Sequence, residues 1–174
     1  ANSPLGTTGA GTTVYATGAA LDLNGYTLAT AEGLTLNGTG ISSGGALVNS
    51  SGTAVSYSGN IGLGSASSIG TTGDITLSGV VSGGFALTKV GAGKLILSGA
   101  NTYSGGTTIT AGTVQLNPSA TLSSGACTFN GTGATLSTSG ITAGRAVTFS
   151  SLTVSENATI NLDNNGHTLT FTTG

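Results

Sequence analysis

The sequence predicts an all-β solenoid: one coil of parallel strands, in about eight rungs of about 20 residues each. Three observations predict it. A short strand motif recurs at a constant long period. Glycine, serine and asparagine punctuate the chain between its copies. Charged residues make up only 5% of the chain, against about a quarter in ordinary domains.

Composition narrows the alternatives. The chain has 174 residues, with 32 glycines, 2 prolines, no methionine, no tryptophan and 37% hydrophobic residues. That length supports one domain with a real core, so residues 1–174 read as a single solenoid domain. Low charge with ample apolar content opposes disorder. Glycine without a three-residue period excludes a collagen helix. Abundant serine, threonine and β-branched residues favour strands. The formal net charge is −2, and Lys89, Lys94 and Arg145 are the basic residues. Binding phosphates needs a cluster of such groups, so nucleic acid is excluded as a partner. No apolar run reaches the length of a membrane-spanning helix, so this segment is not expected to insert in a membrane. Without an initiator methionine or a leader pattern, the chain is expected to be a processed product or a segment.

The elements follow in order. Residues 1–20 are the least regular and read as an N-terminal cap or an incoming linker. The strand motif then appears as Leu34-Thr-Leu36-Asn-Gly, Val55-Ser-Tyr57-Ser-Gly, Ile75-Thr-Leu77-Ser-Gly and Leu95-Ile-Leu97-Ser-Gly. It continues as Val114-Gln-Leu116-Asn-Pro, Ala134-Thr-Leu136-Ser-Thr, Leu152-Thr-Val154-Ser-Glu and Leu169-Thr-Phe171-Thr-Thr. A looser series runs between: Leu28, Leu47, Ile69, Leu87, Ile109, Phe129 and Phe149. Two strands in phase therefore define one coil. A constant period sets like residue above like, as parallel stacking requires. The Asn-Gly pairs at 24, 37, 130 and 165 would ordinarily signal hairpins. The period assigns them to solenoid corners, with Asn37 and Asn130 at equivalent places. Leu21–Leu28 and Leu162–Leu169 are near copies at opposite ends. No charged cap closes the C-terminal end, so more protein is expected to follow, or the ends to stack on other copies.

Residues 91–116 are the clearest copy. They read Gly-Ala-Gly-Lys-Leu-Ile-Leu-Ser-Gly, then Asn101-Thr-Tyr-Ser-Gly-Gly-Thr-Thr-Ile109, then Ala111-Gly-Thr-Val-Gln-Leu116. This stretch resembles the passenger-associated transport repeat (the autotransporter-associated β-strand repeat) of bacterial autotransporters. The segments 33–40 and 73–79 resemble the degenerate repeats around it. The resemblance implies a right-handed parallel β-helix carried to the bacterial outer surface. It also implies a motif tied to export and folding, and not to catalysis.

Candidate chemistry is sparse. Lys94 follows Gly91-Ala92-Gly93, but a phosphate loop would need glycine at Thr88 and a hydroxyl at Leu95. Asp163 and His167 sit four apart, with Glu156 and Arg145 upstream, an outline of an acid–base site on a β-helix face. Asp22, Glu32, Asp74, Glu156 and Asp163 are scattered, however, and Asp163 and His167 take the places of Asp22 and Tyr26 in the matching end repeat. They read as corner residues. Cys127 alternates with Phe129 and reads as a buried structural thiol. Asn37, Asn49, Asn130 and Asn157 open glycosylation triplets of a kind that arise freely in a chain rich in serine and threonine. Thr35, Thr76, Thr135, Thr153 and Thr170 form an outward row suited to ice or crystalline polysaccharide, interrupted by Ser56, Ile96 and Gln115.

The expected function is a non-catalytic structural rod of the bacterial surface, used for adhesion, display or scaffolding. End-to-end filament assembly is the nearest variant. A polysaccharide-binding or polysaccharide-degrading β-helix protein is the alternative. No catalytic, cofactor-binding or metal residue is assigned, and no cofactor is expected. Expected partners are other copies at the solenoid ends and host or matrix glycans or proteins.

Overall fold

The computed structural model describes residues 5, 9–15, 18–28, 30–138, 146–162 and 167–171. Among them there is no α-helix, and every strand pairing is parallel. The chain is a β-solenoid of about seven turns, close to the number its period predicts. Each coil visits three faces, where the sequence pattern suggested two strands. The second face stacks Leu21–Asp22, Leu47–Asn49, the end of Ile61–Thr71, Leu87–Val90, Thr107–Ile109, Cys127–Phe129 and Leu152–Val154. The third stacks Val55–Tyr57, Ile75–Leu77, Lys94–Leu97, Thr113–Leu116, Thr135–Ser137 and Thr159–Asn161. The first holds Thr12–Val14, Leu34–Gly38, the start of Ile61–Thr71 and Val81–Ser82. It continues through residues 101–103 and 121–123 on looser hydrogen bonds, such as Thr102 N–H to the Val81 carbonyl at 2.8 Å. Ala146–Phe149 and Thr168–Phe171 pair with each other.

The third face escaped the sequence pattern because all faces obey the same rule. Inward side chains alternate with outward ones along each strand, and any Leu-x-Leu satisfies any face. Tyr57, Leu77, Leu97 and Leu116 do form one column. The ends of that series depart from it. Leu36 stacks between Val14 and Leu63 on the first face. Leu136 stands over Val114 rather than Leu116. Val154 follows Phe129 on the second face, and Phe171 pairs with Phe149. The looser series divides in the same way, because Ile69 lies against Lys89 and not Leu87.

Inside, the columns are mostly apolar, with Ser67, Lys89 and Thr107 as buried polar members. Leu34, Leu36, Ile61, Ile69, Ile75, Leu97, Ile109 and Phe129 are buried. A fully buried aliphatic or aromatic side chain of this size contributes about 1.5–3 kcal/mol. No single coil can collect that gain, since its inward side chains are covered only by the next coil.

The corners use local backbone chemistry. Asn24 and Gly25 have φ of 43° and 80°, and Tyr26 N–H closes the turn on the Leu23 carbonyl at 2.8 Å. This Asn-Gly pair carries the chain from the second face toward the third, so it is a corner and not a hairpin. Asn37 and Asn130 are not equivalent: Asn37 lies within Leu34–Gly38 on the first face, and Asn130 follows Cys127–Phe129 on the second. The pair at 165 lies outside the described residues. One corner is elaborated: the chain between Leu34–Gly38 and Leu47–Asn49 makes a 3₁₀ turn at Ile41–Ser43, with Ser42 and Ser43 at φ of 50° and 60°. This loop folds over the second face at Gly70, where a Cβ would lie 1.8 Å from the Gly44 carbonyl oxygen.

Candidate functional site

Residues 87–116 cross the second, third and first faces, then the second and third again. The stretch therefore contains two stacked rungs on two faces and buries columns against itself. Its polar side chains tie these rungs together. Asn101 is buried, accepts from Val81 N–H at 2.9 Å and donates to the Thr121 carbonyl at 2.7 Å. One amide thus bridges three successive coils on the face where the ladder is weakest. The Tyr103 hydroxyl meets the Thr107 hydroxyl at 2.7 Å, both buried, and burial pushes the phenol up to about 12. Lys94 is exposed, and its N–H donates to the Asp74 carboxylate at 2.8 Å. That bond, made by the main chain, fixes the corner to the coil below.

Lys89 is the unexpected residue. It is fully buried in the second-face row Leu47, Ile69, Lys89, Ile109, Phe129. Its Nζ donates to the carbonyls of Val90 at 2.9 Å, Gly91 at 2.6 Å and Ala111 at 3.2 Å. Burial pushes the ammonium down to about 8, and the carboxylate of Asp74 opposes this. Sequence reasoning passed over Lys89. Its only signal is a lysine at an inward position of an alternating strand.

The outward row on the same face is a threonine column. Thr88, Thr108, Thr128 and Thr153 are consecutive register partners. Thr88, Thr108 and Thr128 are half-buried and Thr153 is exposed. The row expected from sequence does not exist as such. Thr35 lies on the first face, Thr76 and Thr135 lie in different columns of the third, and Thr170 belongs to the Thr168–Phe171 pair. Threonine recurs at outward positions of every face, so spacing in the sequence mixed them.

Of the groups proposed for acid–base work, the structure describes Glu156 and His167. Arg145 and Asp163 lie outside the described residues. Glu156 is exposed, whereas His167 is buried. Tyr26, the residue His167 was matched to, is 72% exposed. The two end repeats differ because Leu21–Asp22 runs on the second face, whereas Thr168–Phe171 pairs with Ala146–Phe149. Cys127 is buried, and burial pushes its thiol up to about 12, so it is not a nucleophile at neutral pH. Asn49 is buried, with its amide bonded to Thr53 and Asp74 carbonyls, which removes that glycosylation triplet from reach. Among the described residues no three His, Cys, Asp or Glu gather to hold a metal. A cavity of about 120 Å³ opens where residues 121–124 splay from Ala146–Phe149, and its described walls carry no ionisable group. No helix among them is long and apolar enough to cross a membrane.

Comparison with known proteins agrees with the coil. Residues 87–116 match the family model of the passenger-associated-transport-repeat, starting four residues before the motif at Gly91 and so including Lys89. The chain is 45% identical over 89 residues to the Adhesin BmaC autotransporter of Brucella suis biovar 1 (strain 1330). That alignment covers 49% of this chain and 3% of the adhesin. No solved structure matches. The chain is a parallel β-solenoid that carries a match to the transport repeat at residues 87–116.

Proposed function

We propose that the chain is part of a secreted, non-catalytic, adhesin-like rod on a bacterial surface. The observation that carries this reading is the 45% identity, over 89 residues, to an autotransporter adhesin. The architecture supports it. A stacked coil resists extension through its backbone ladders and offers long flat faces. The second face is the contact surface in this reading. Its hydroxyl column is uncharged, and it suits a neutral, hydroxyl-rich partner such as a matrix or host glycan.

The test is binding of the purified chain to a glycan panel and to cells, beside Thr108→Arg and Thr128→Arg. Saturable binding that both substitutions abolish supports the reading. Binding untouched by either moves the contact to another face. No binding to any partner leaves a spacer and sinks the adhesive role. Turnover of a glycan, lost in Asp163→Asn or His167→Ala, establishes the polysaccharide-degrading alternative instead.

A further inference from the structure

The inward rows of this solenoid are nearly degenerate. Apart from a few buried polar positions such as Ser67, Asn101 and Thr107, a coil stacked one rung out of order would still place apolar side chains on apolar side chains. Repetition therefore supplies the stacking energy without supplying the order of the rungs.

Lys89 breaks the degeneracy. Its ammonium has three protons, and three carbonyls accept them: Val90 and Gly91 on its own coil, Ala111 on the next. The Ala111 carbonyl is presented by a corner specific to that coil. After Ile109 the corner spans 110–113 before the inward Val114; after Phe129 it spans 130–135 before the inward Leu136. Gly112 sits in the tight corner at φ 64°, where a Cβ would lie 2.5–2.7 Å from the carbonyl oxygens of Gly93, Gly91 and Ala92.

We infer that Lys89 is a register key, which makes the coil containing 87–97 accept the coil containing 107–116 as its neighbour and no other. Were residues 127–137 stacked directly on 87–97, Lys89 would face Phe129 and lose the Ala111 carbonyl. A buried ammonium short of an acceptor is strongly penalised. A single polar residue in a repetitive apolar seam fixes register in coiled coils, at some cost in stability. The same physics applies here: the apolar rows drive stacking, and Lys89 selects the partner.

Disulfide trapping tests this on the whole chain with Cys127→Ala. Thr88 and Thr108 are register partners, with Cα atoms about 4.8 Å apart, within disulfide reach. Thr88 and Thr128 lie two rungs apart, roughly 9.6 Å, beyond that reach. The pairs Thr88→Cys/Thr108→Cys and Thr88→Cys/Thr128→Cys then report correct and skipped stacking during oxidative refolding. With Lys89 present, the 88–108 bond is expected to form and the 88–128 bond to stay at background. Lys89→Met is expected to raise the 88–128 bond several-fold and lower the 88–108 bond. An 88–128 yield equally low in a folded Lys89→Met protein overturns the inference. If Lys89→Met does not refold, Lys89→Gln is trapped in the same way. Failure of both to fold makes Lys89 a stability requirement and overturns the register role.

Discussion

Lys89 and Ile109 are register partners on adjacent coils, and both are fully buried. An amine thus shares a row with Ile69, Ile109 and Phe129. Its burial makes stability depend on pH with a definite sign. The ammonium is held near 8 in the folded chain against 10.5 in its ordinary state. Between those values the unfolded chain binds more protons, so stability rises with pH from about 8 toward 10.5. The Cys127 thiol works oppositely. Its folded value of about 12 lies above the ordinary 9.0, so stability falls as pH climbs from about 9. Tyr57 and Tyr103, raised from 10.0 to about 12, add to that fall above pH 10. Urea midpoints from pH 7 to 11 are expected to rise, peak near pH 9–10 and decline. The rising limb, on the order of 1–3 kcal/mol, is expected to vanish in Lys89→Met. A Lys89→Met profile that keeps it refutes the assignment.

Asn101 is the second polar staple, and its removal orphans two backbone groups at once. Asn101→Ala leaves Val81 N–H and the Thr121 carbonyl without their partner. The expected loss is about 2–4 kcal/mol, from roughly 1–3 per unsatisfied group. Asn101→Asp keeps the acceptor but turns a carboxylate toward the Thr121 carbonyl, and is expected to be no milder. Chemical denaturation measures both. A loss below about 0.5 kcal/mol, the range of ordinary surface changes, would show that water replaces the amide.

Gly70 supports the loop that overhangs the second face. Gly70→Ala places a methyl against the Gly44 carbonyl, so the loop must lift. Overpacking of this kind costs about 1–3 kcal/mol. Hydrogen exchange is expected to accelerate across residues 40–46 and not at the rungs near Ile109. Gly52→Ala meets nothing within 4 Å and serves as the control. Equal behaviour of the two variants would deny the loop its support.

The threonine column separates binding from folding. Thr108 and Thr128 point outward from buried Ile109 and Phe129 neighbours. Replacing either by arginine is expected to change stability by less than about 1 kcal/mol, since outward positions tolerate change. Thermal melts check this beside the binding assays. A collapse of the melt would mean that the column packs against something unseen from its exposure.

How much was legible follows from the repeat itself. The constant period announced parallel stacking, and the column Tyr57, Leu77, Leu97, Leu116 was placed correctly because its spacing stays near 20 residues. Toward the ends the corners change length, and the loop at 39–46 and the corner at 130–135 break the count. The match between the two end repeats misled for the same reason. His167 and Tyr26 share a local sequence, yet Leu21–Asp22 before Tyr26 pairs with Leu47–Asn49 while Thr168–Phe171 after His167 pairs with Ala146–Phe149. A face is set by how many residues the preceding corners consumed.

By itself, the sequence determined the class of structure: low charge, alternating apolar positions and a fixed period permit stacked parallel coils and little else. It also contained the transport-repeat motif at residues 91–116, legible without any structure. Only the tertiary structure decided the three faces, the threonine column and the burial of Lys89. Those depend on which coil lies above which. Alternation within a strand is local, whereas the row a side chain joins is fixed by backbone pairing between coils about 20 residues apart.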